Sequence, residues 1–167
     1  MCQLIERTAA EADLLSDIDG YHLVEECFSP RFATERKFRG EFRRIEKPLL
    51  PGYVVAVTQD PATLARMLYR VPDFTRLLTS GETFVPLRDD ERAWIESSTH
   101  VGDRTVPMSF GYREGDRLVV TEGPLKGREG MVTRINRAKS LAFLEFDVHG
   151  KKITTTVGLG IVPKERT

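Results

Sequence analysis

Residues able to do chemistry are few in this 167-residue chain and poorly placed for catalysis. The histidines His22, His100 and His149 fall on three separate segments, and neither Cys2 nor Cys27 stands in a CxxC or CxxH spacing. A nucleophile with its base, or a metal cluster, needs such groups brought together, so no catalytic, metal or cofactor site is expected and the chain is not read as an enzyme. The paired acids Asp89 and Asp90 are better explained as the opening of a helix, whose dipole favours negative charge there. What remains is cationic chemistry. Arg36, Lys37, Arg39, Arg43 and Arg44 crowd one stretch, Arg66 and Arg70 stand four apart, and Lys126, Arg128, Arg134, Arg137 and Lys139 lie close together further on. Groups of that kind hold phosphate when they converge; scattered, they only solvate a surface.

The formal net charge of zero conceals an uneven distribution. Residues 1–30 carry seven acids against Arg7 alone, residues 31–47 carry seven bases against three acids, and residues 113–167 carry eleven bases against seven acids. Forty per cent apolar with thirty per cent charged residues is a globular composition, and no apolar run approaches the ~18 residues of a membrane span. With so little cysteine and no leader-like segment, a reduced, cytoplasmic setting is expected.

The elements that must position these side chains divide the chain. Leu4, Ile5, Ala9, Ala12 and Leu15 share one side at helical spacing, predicting an amphipathic helix over 4–15. A strand is expected over 21–28, then a charged excursion without clear period over 31–47. The β-branched run after Pro51-Gly52 predicts a buried strand, Asp60-Pro61 opens a helix over 62–69, and a third helix starts at Asp89. Residues 97–111 lose all periodicity and read as a linker. Beyond them the pattern is strand-like throughout, with turn residues every eight to twelve positions, as a small closed barrel requires. The expected fold is α+β: an antiparallel sheet with flanking helices over 1–98, a connection over 99–112, and an SH3-like β-barrel over 113–167.

Residues 117–136 read Arg-Leu-Val-Val-Thr-Glu-Gly-Pro-Leu-Lys-Gly-Arg-Glu-Gly-Met-Val-Thr-Arg-Ile-Asn, which resembles a KOW motif. Gly123, Gly127 and Gly130 sit where the loop between two strands needs unusual backbone angles or close approach. Lys47-Pro-Leu-Leu-Pro-Gly-Tyr-Val-Val-Ala56 looks like the Phe-Pro-Gly-Tyr-Val segment of the NusG amino-terminal domain, and Val71-Pro72 and Phe84-Val-Pro-Leu87 fall where that family places its following turn and strand. The chain thus resembles the NusG family over residues 4–164. The basic excursion after Phe28-Ser-Pro-Arg31, the Ser109-Phe-Gly-Tyr112 lead and the Val157-Gly-Leu-Gly-Ile-Val-Pro163 ending resemble its LoaP antitermination subgroup. Two departures stand out: Leu50 replaces the usual phenylalanine, and the chain is expected to open inside the first helix, lacking the family's aromatic-rich first strand.

The resemblance implies a transcription elongation or antitermination factor. Leu50, Tyr53 and Val55 would meet the β′ clamp helices of RNA polymerase, and Arg66 and Arg70 the nontemplate DNA strand. Lys126, Arg128, Arg134, Arg137 and Lys139 would meet nascent RNA or a protein partner, in relatives a small-subunit ribosomal protein or Rho. The alternatives are a general NusG role in pausing, termination or coupling to translation, and a ribosome-associated KOW protein.

Overall fold

Val54-Val55-Ala56-Val57 is apolar on both sides because it runs through the middle of a sheet whose two faces are both covered. A computed structural model of the chain describes residues 2–7, 23–70, 75–77, 79–80, 82–148 and 151–164. It opens with β1 (Cys2–Arg7) and β2 (Val24–Phe28), continues through a hairpin of β3 (Arg31–Phe38) and β4 (Glu41–Pro48), and places the apolar run in β5 (Tyr53–Thr58). Strands β1, β2 and β5 join β6 (Thr75–Leu77) in a sheet ordered β2-β5-β1-β6, antiparallel at every pairing, while β3 and β4 lie in a separate sheet.

The start of the chain differs from expectation. Cys2–Arg7 is a strand, not the opening of a helix, and it lies between β5 and β6, pairing Leu4 with Val55 and Ile5 with both Val54 and Leu77. Six residues satisfy either periodicity; the rows of backbone donors and acceptors on both neighbours decide the outcome, and they are invisible to local propensity. The strand expected to be missing is therefore in place. The rest of the expected helix, residues 8–15, lies outside the described residues.

Helix α1 (Pro61–Leu68) starts as the sequence indicates: Asp60 accepts a 3.0 Å hydrogen bond from the Thr63 amide, and Pro61 occupies the first turn. Its Leu64 and Leu68 pack on Cys27, Val54 and Ala56 from one face of the sheet. A two-residue pair follows, β7 (Thr79–Ser80) with β8 (Thr83–Phe84). Helix α2 (Asp89–Ser98) carries three acids in its first turn and buries Trp94 and Ile95 in the cluster that holds Phe28 and Val55, on the sheet's other face.

Two stretches that look unstructured in sequence are ordered. The charged excursion is the regular β3–β4 hairpin, closed by Arg39 and Gly40 at φ +49° and +90°, the left-handed pair that matches strand twist in tight hairpins. Its period is masked because the outer half has no buried face. The supposed linker contains β9 (Thr105–Val106), which pairs in parallel with β3, and the beginning of β10 (Ser109–Glu114). Val106 and Ser109 are almost fully buried there.

Strand β10, with β11 (Arg117–Glu122), β12 (Val132–Asn136), β13 (Leu141–Val148) and β14 (Lys151–Ile161), forms a five-stranded sheet in the order β11-β10-β14-β13-β12, consistent with the expected small barrel. The two regions share one core. Phe28, Leu49, Leu50, Val55, Trp94 and Ile95 belong to the same buried cluster as Leu125, Leu144, Phe146, Val157 and Leu159. Gly158 allows the closest approach: a β-carbon there would overlap the Ala33 carbonyl of β3.

Candidate nucleic-acid and partner interfaces

Leu50, Tyr53 and Val55 are brought together, but they are not equally available. Leu50 is 1% exposed and Val55 0%, while Tyr53 is half-buried at the edge of the same cluster. Val55 shares a small hollow with Phe28, Val57, Leu87 and Ile95, and the Thr155 hydroxyl of β14 donates to the Leu49 carbonyl. Around them the barrel is fastened to the first region. The Trp94 indole N–H donates to the Pro124 carbonyl at 3.1 Å, the Thr34 hydroxyl to the Ser140 carbonyl at 3.0 Å, and the Trp94 and Phe146 rings meet edge to face at 6.0 Å. Glu91 accepts the Asp147 amide at 2.9 Å and the Arg88 amide at 3.2 Å. Burial pushes its carboxyl above the usual carboxylate range, against the lowering effect of those two hydrogen bonds.

Arg66 and Arg70 are both exposed, yet they do not share a helical face. Arg66 sits in the last turn of α1 and donates to the Thr63 hydroxyl at 2.9 Å, whereas Arg70 lies past the helix end, its amide bonded to the Met67 carbonyl at 3.0 Å. A spacing of four would put both on one face of a continuous helix, but the helix stops at Leu68.

The five barrel cations are all exposed and fall into three groups. Lys126 and Arg128 occupy the β11–β12 loop, where Gly123 at φ +95° turns the chain so tightly against Ser109 that a side chain would collide with its backbone. Arg134, on β12, lies over the Phe143 ring at 3.9 Å and joins Arg113 and Arg117 around an open groove of about 580 Å³ floored by Leu118, Val132 and Ile135. Arg137 and Lys139 lie in the 3-10 turn that follows β12. Lys139 faces the β3–β4 hairpin across a second cleft, of about 390 Å³, with Arg36, Lys37 and Lys47 on the opposite wall. Arg113 and Arg117 belong to this groove although neither lies in the cation groups of the sequence. Their signal was their position on either side of the tight β10–β11 turn, which puts both at the mouth of one groove.

No group of three or more His, Cys, Asp or Glu among the described residues could hold a metal ion. His100 lies in a two-residue bridge with Asp103, while His22 and His149 lie outside the described residues. Among the described residues no helix is long and apolar enough to cross a membrane.

Comparison with known proteins gives these surfaces a context. The KOW motif model matches residues 114–145, from the last residue of β10 into β13. The transcription termination/antitermination protein NusG of Rickettsia felis is 24% identical over 140 residues, spanning 84% of this chain and 73% of that one. The Rickettsia conorii protein of the same name is 23% identical over 143 residues, 86% and 74% respectively. Thermotoga maritima NusG, solved in a structure concerned with its domain interaction, superposes with a TM-score of 0.50 at 16% identity over 95% of this chain and 94% of that one. The chain is NusG-like and carries a KOW motif. In this NusG-like chain the motif spans β11, β12 and the 3-10 turn that follows, so it presents all three cation groups and every lining residue of the larger groove except Arg113.

Proposed function

We propose that this chain is a transcription termination/antitermination factor that works by binding alone. The first region, with Tyr53 at its accessible margin, engages the β′ clamp helices of RNA polymerase, and the barrel engages nascent RNA or a protein partner such as a small-subunit ribosomal protein or Rho. The observation that carries this reading is the extent of the NusG likeness, 84% of the chain with the KOW motif falling in the barrel. Arg66 and Arg70 meet the nontemplate DNA strand as separate contacts, and the action is cytoplasmic. In its finer form the reading is processive antitermination of the LoaP kind.

The test is transcription in vitro on a template carrying an intrinsic terminator, with and without the purified chain, beside direct binding to a β′ clamp-helix fragment. Read-through should rise, and Tyr53→Asp should weaken clamp-helix binding by about 2 kcal/mol or more, the cost of removing a central anchor. Increased termination would favour the general NusG role instead. Failure to bind polymerase in either assay would remove the reading altogether.

A further inference from the structure

Two large apolar side chains at the hairpin tip have no packing role. Phe38 is 48% exposed and Phe42 64% exposed, and both lie beside the Arg39-Gly40 turn, away from either core cluster. The register pairs Phe38 with Glu41, Lys37 with Phe42 and Arg36 with Arg43, so each face of the ribbon carries one phenylalanine next to cations. Arg39 and Arg43 lie over the Phe38 ring at 5.3 and 5.1 Å, and Lys37 lies 6.0 Å from the centre of the Phe42 ring. From Glu35 outward the hairpin is exposed or nearly so on both strands. The turn end, residues 38–42, is exposed on both faces of the ribbon.

We propose that this tip is a binding element for single-stranded RNA, in which Phe42 and the arginine-covered Phe38 ring stack against bases while Arg36, Arg39, Arg43 and Arg44 hold the phosphates. Aromatic faces interleaved with cations on an exposed ribbon suit unpaired bases, which offer a π-face and a charged backbone together. A duplex hides those faces, so cations alone would serve it. The glutamates Glu35 and Glu41 at the same tip count against insertion into a lipid surface. RNA is chosen over DNA by continuity: at its root the ribbon faces Lys139 of the barrel across the cleft lined by Arg36, Ile45 and Lys47. One basic track therefore runs from the barrel to the tip. That choice rests on the barrel being an RNA-binding surface; the stacking chemistry of the tip does not.

The test is fluorescence anisotropy of the full chain with an unstructured 12-nucleotide RNA at low salt, beside DNA of the same sequence, duplex RNA and anionic vesicles. Phe42→Ala should weaken RNA binding about five- to hundredfold, as loss of one stacked base does. Phe42→Trp should retain it, and Arg43→Gln should lower the slope of log affinity against log salt by about 0.7. Unchanged thermal unfolding midpoints would confirm that the exposed substitutions leave the fold intact. Binding that survives Phe38→Ala with Phe42→Ala, or that is equal for duplex RNA or vesicles, would overturn the proposal; equal binding of DNA would overturn the choice of RNA. Loss of RNA binding in Lys126→Gln with Arg128→Gln, but not in the phenylalanine variants, would leave the barrel reading standing and sink this one. The reverse pattern would sink the barrel reading alone.

Discussion

Trp94 and Phe146 belong to different regions of the chain, and their contact measures whether those regions fold as one body. The Trp94 side chain is 1% exposed, its indole N–H is bonded to Pro124 of the barrel, and its ring meets Phe146 edge to face at 74°. Trp94→Leu would leave the Pro124 carbonyl without that donor, at about 1 to 3 kcal/mol, and remove ring volume that the surroundings only partly refill. Phe146→Leu keeps most of the volume and loses the ring edge. The edge-to-face contact itself is worth about 0.5 to 1.5 kcal/mol beyond burial. The double variant should therefore be more stable than the two single losses add up to, by that amount. Urea unfolding followed by far-ultraviolet circular dichroism measures all four proteins, and one cooperative transition is expected because the core is continuous across both regions. Losses that add to within about 0.3 to 0.5 kcal/mol, or two transitions of which each substitution moves only one, would refute a shared core.

Two further outcomes test the same contact. Because burial raises the Glu91 carboxyl, the folded chain binds that proton more tightly than the unfolded chain does, so Glu91's contribution to stability falls as pH rises from about 4.3 through the raised value. The stability difference between the wild type and Glu91→Gln should favour the wild type most at the acid end of a urea series. A difference that grows toward neutral pH would contradict the assignment. Gly158→Ala should push β14 off the Ala33 backbone, at about 1 to 3 kcal/mol. Trp94, the single tryptophan, should then emit at longer wavelength as its cover loosens; an unshifted spectrum with unchanged stability would show that the two strands do not touch in solution.

Much of the fold was legible because local and global demands agree. Asp60-Pro61 caps a helix whose Leu64 and Leu68 face a sheet, and the KOW segment pairs apolar strand residues with glycines at its turns. Two of the failures share one physical cause, that pairing partners distant in sequence decide short segments. Cys2–Arg7 becomes a strand because β5 and β6 flank it, and Thr105–Val106 becomes one because β3 lies alongside. The cations were identifiable by type, yet their grouping was not. Arg134 belongs with Arg113 and Arg117, and Lys139 with the hairpin, only after the five-stranded sheet forms and packs. Phe38 and Phe42 lie in the stretch without clear period, and only its pairing as a hairpin shows that both rings stay in solvent.

The buried state of Leu50 and Val55 constrains how any partner can use the first region. A partner that docks on the chain as it stands finds neither side chain, since α2 and the barrel cover that face. Reaching them requires separating Trp94 from Pro124, Glu91 from Asp147 and Thr155 from Leu49. Each of those contacts would leave a desolvated donor or acceptor behind unless the partner supplies a replacement. Tyr53, half-buried at the margin, and the exposed Arg66 and hairpin tip can be met without opening that core. Leu50→Ala is accordingly a poor probe of binding: it would cost about 2 to 5 kcal/mol of stability whether or not Leu50 ever touches a partner. Loss of clamp-helix binding in Tyr53→Asp, with the urea midpoint unchanged, would instead place the contact at the rim of this face, where a rigid partner can reach it without opening the shared core.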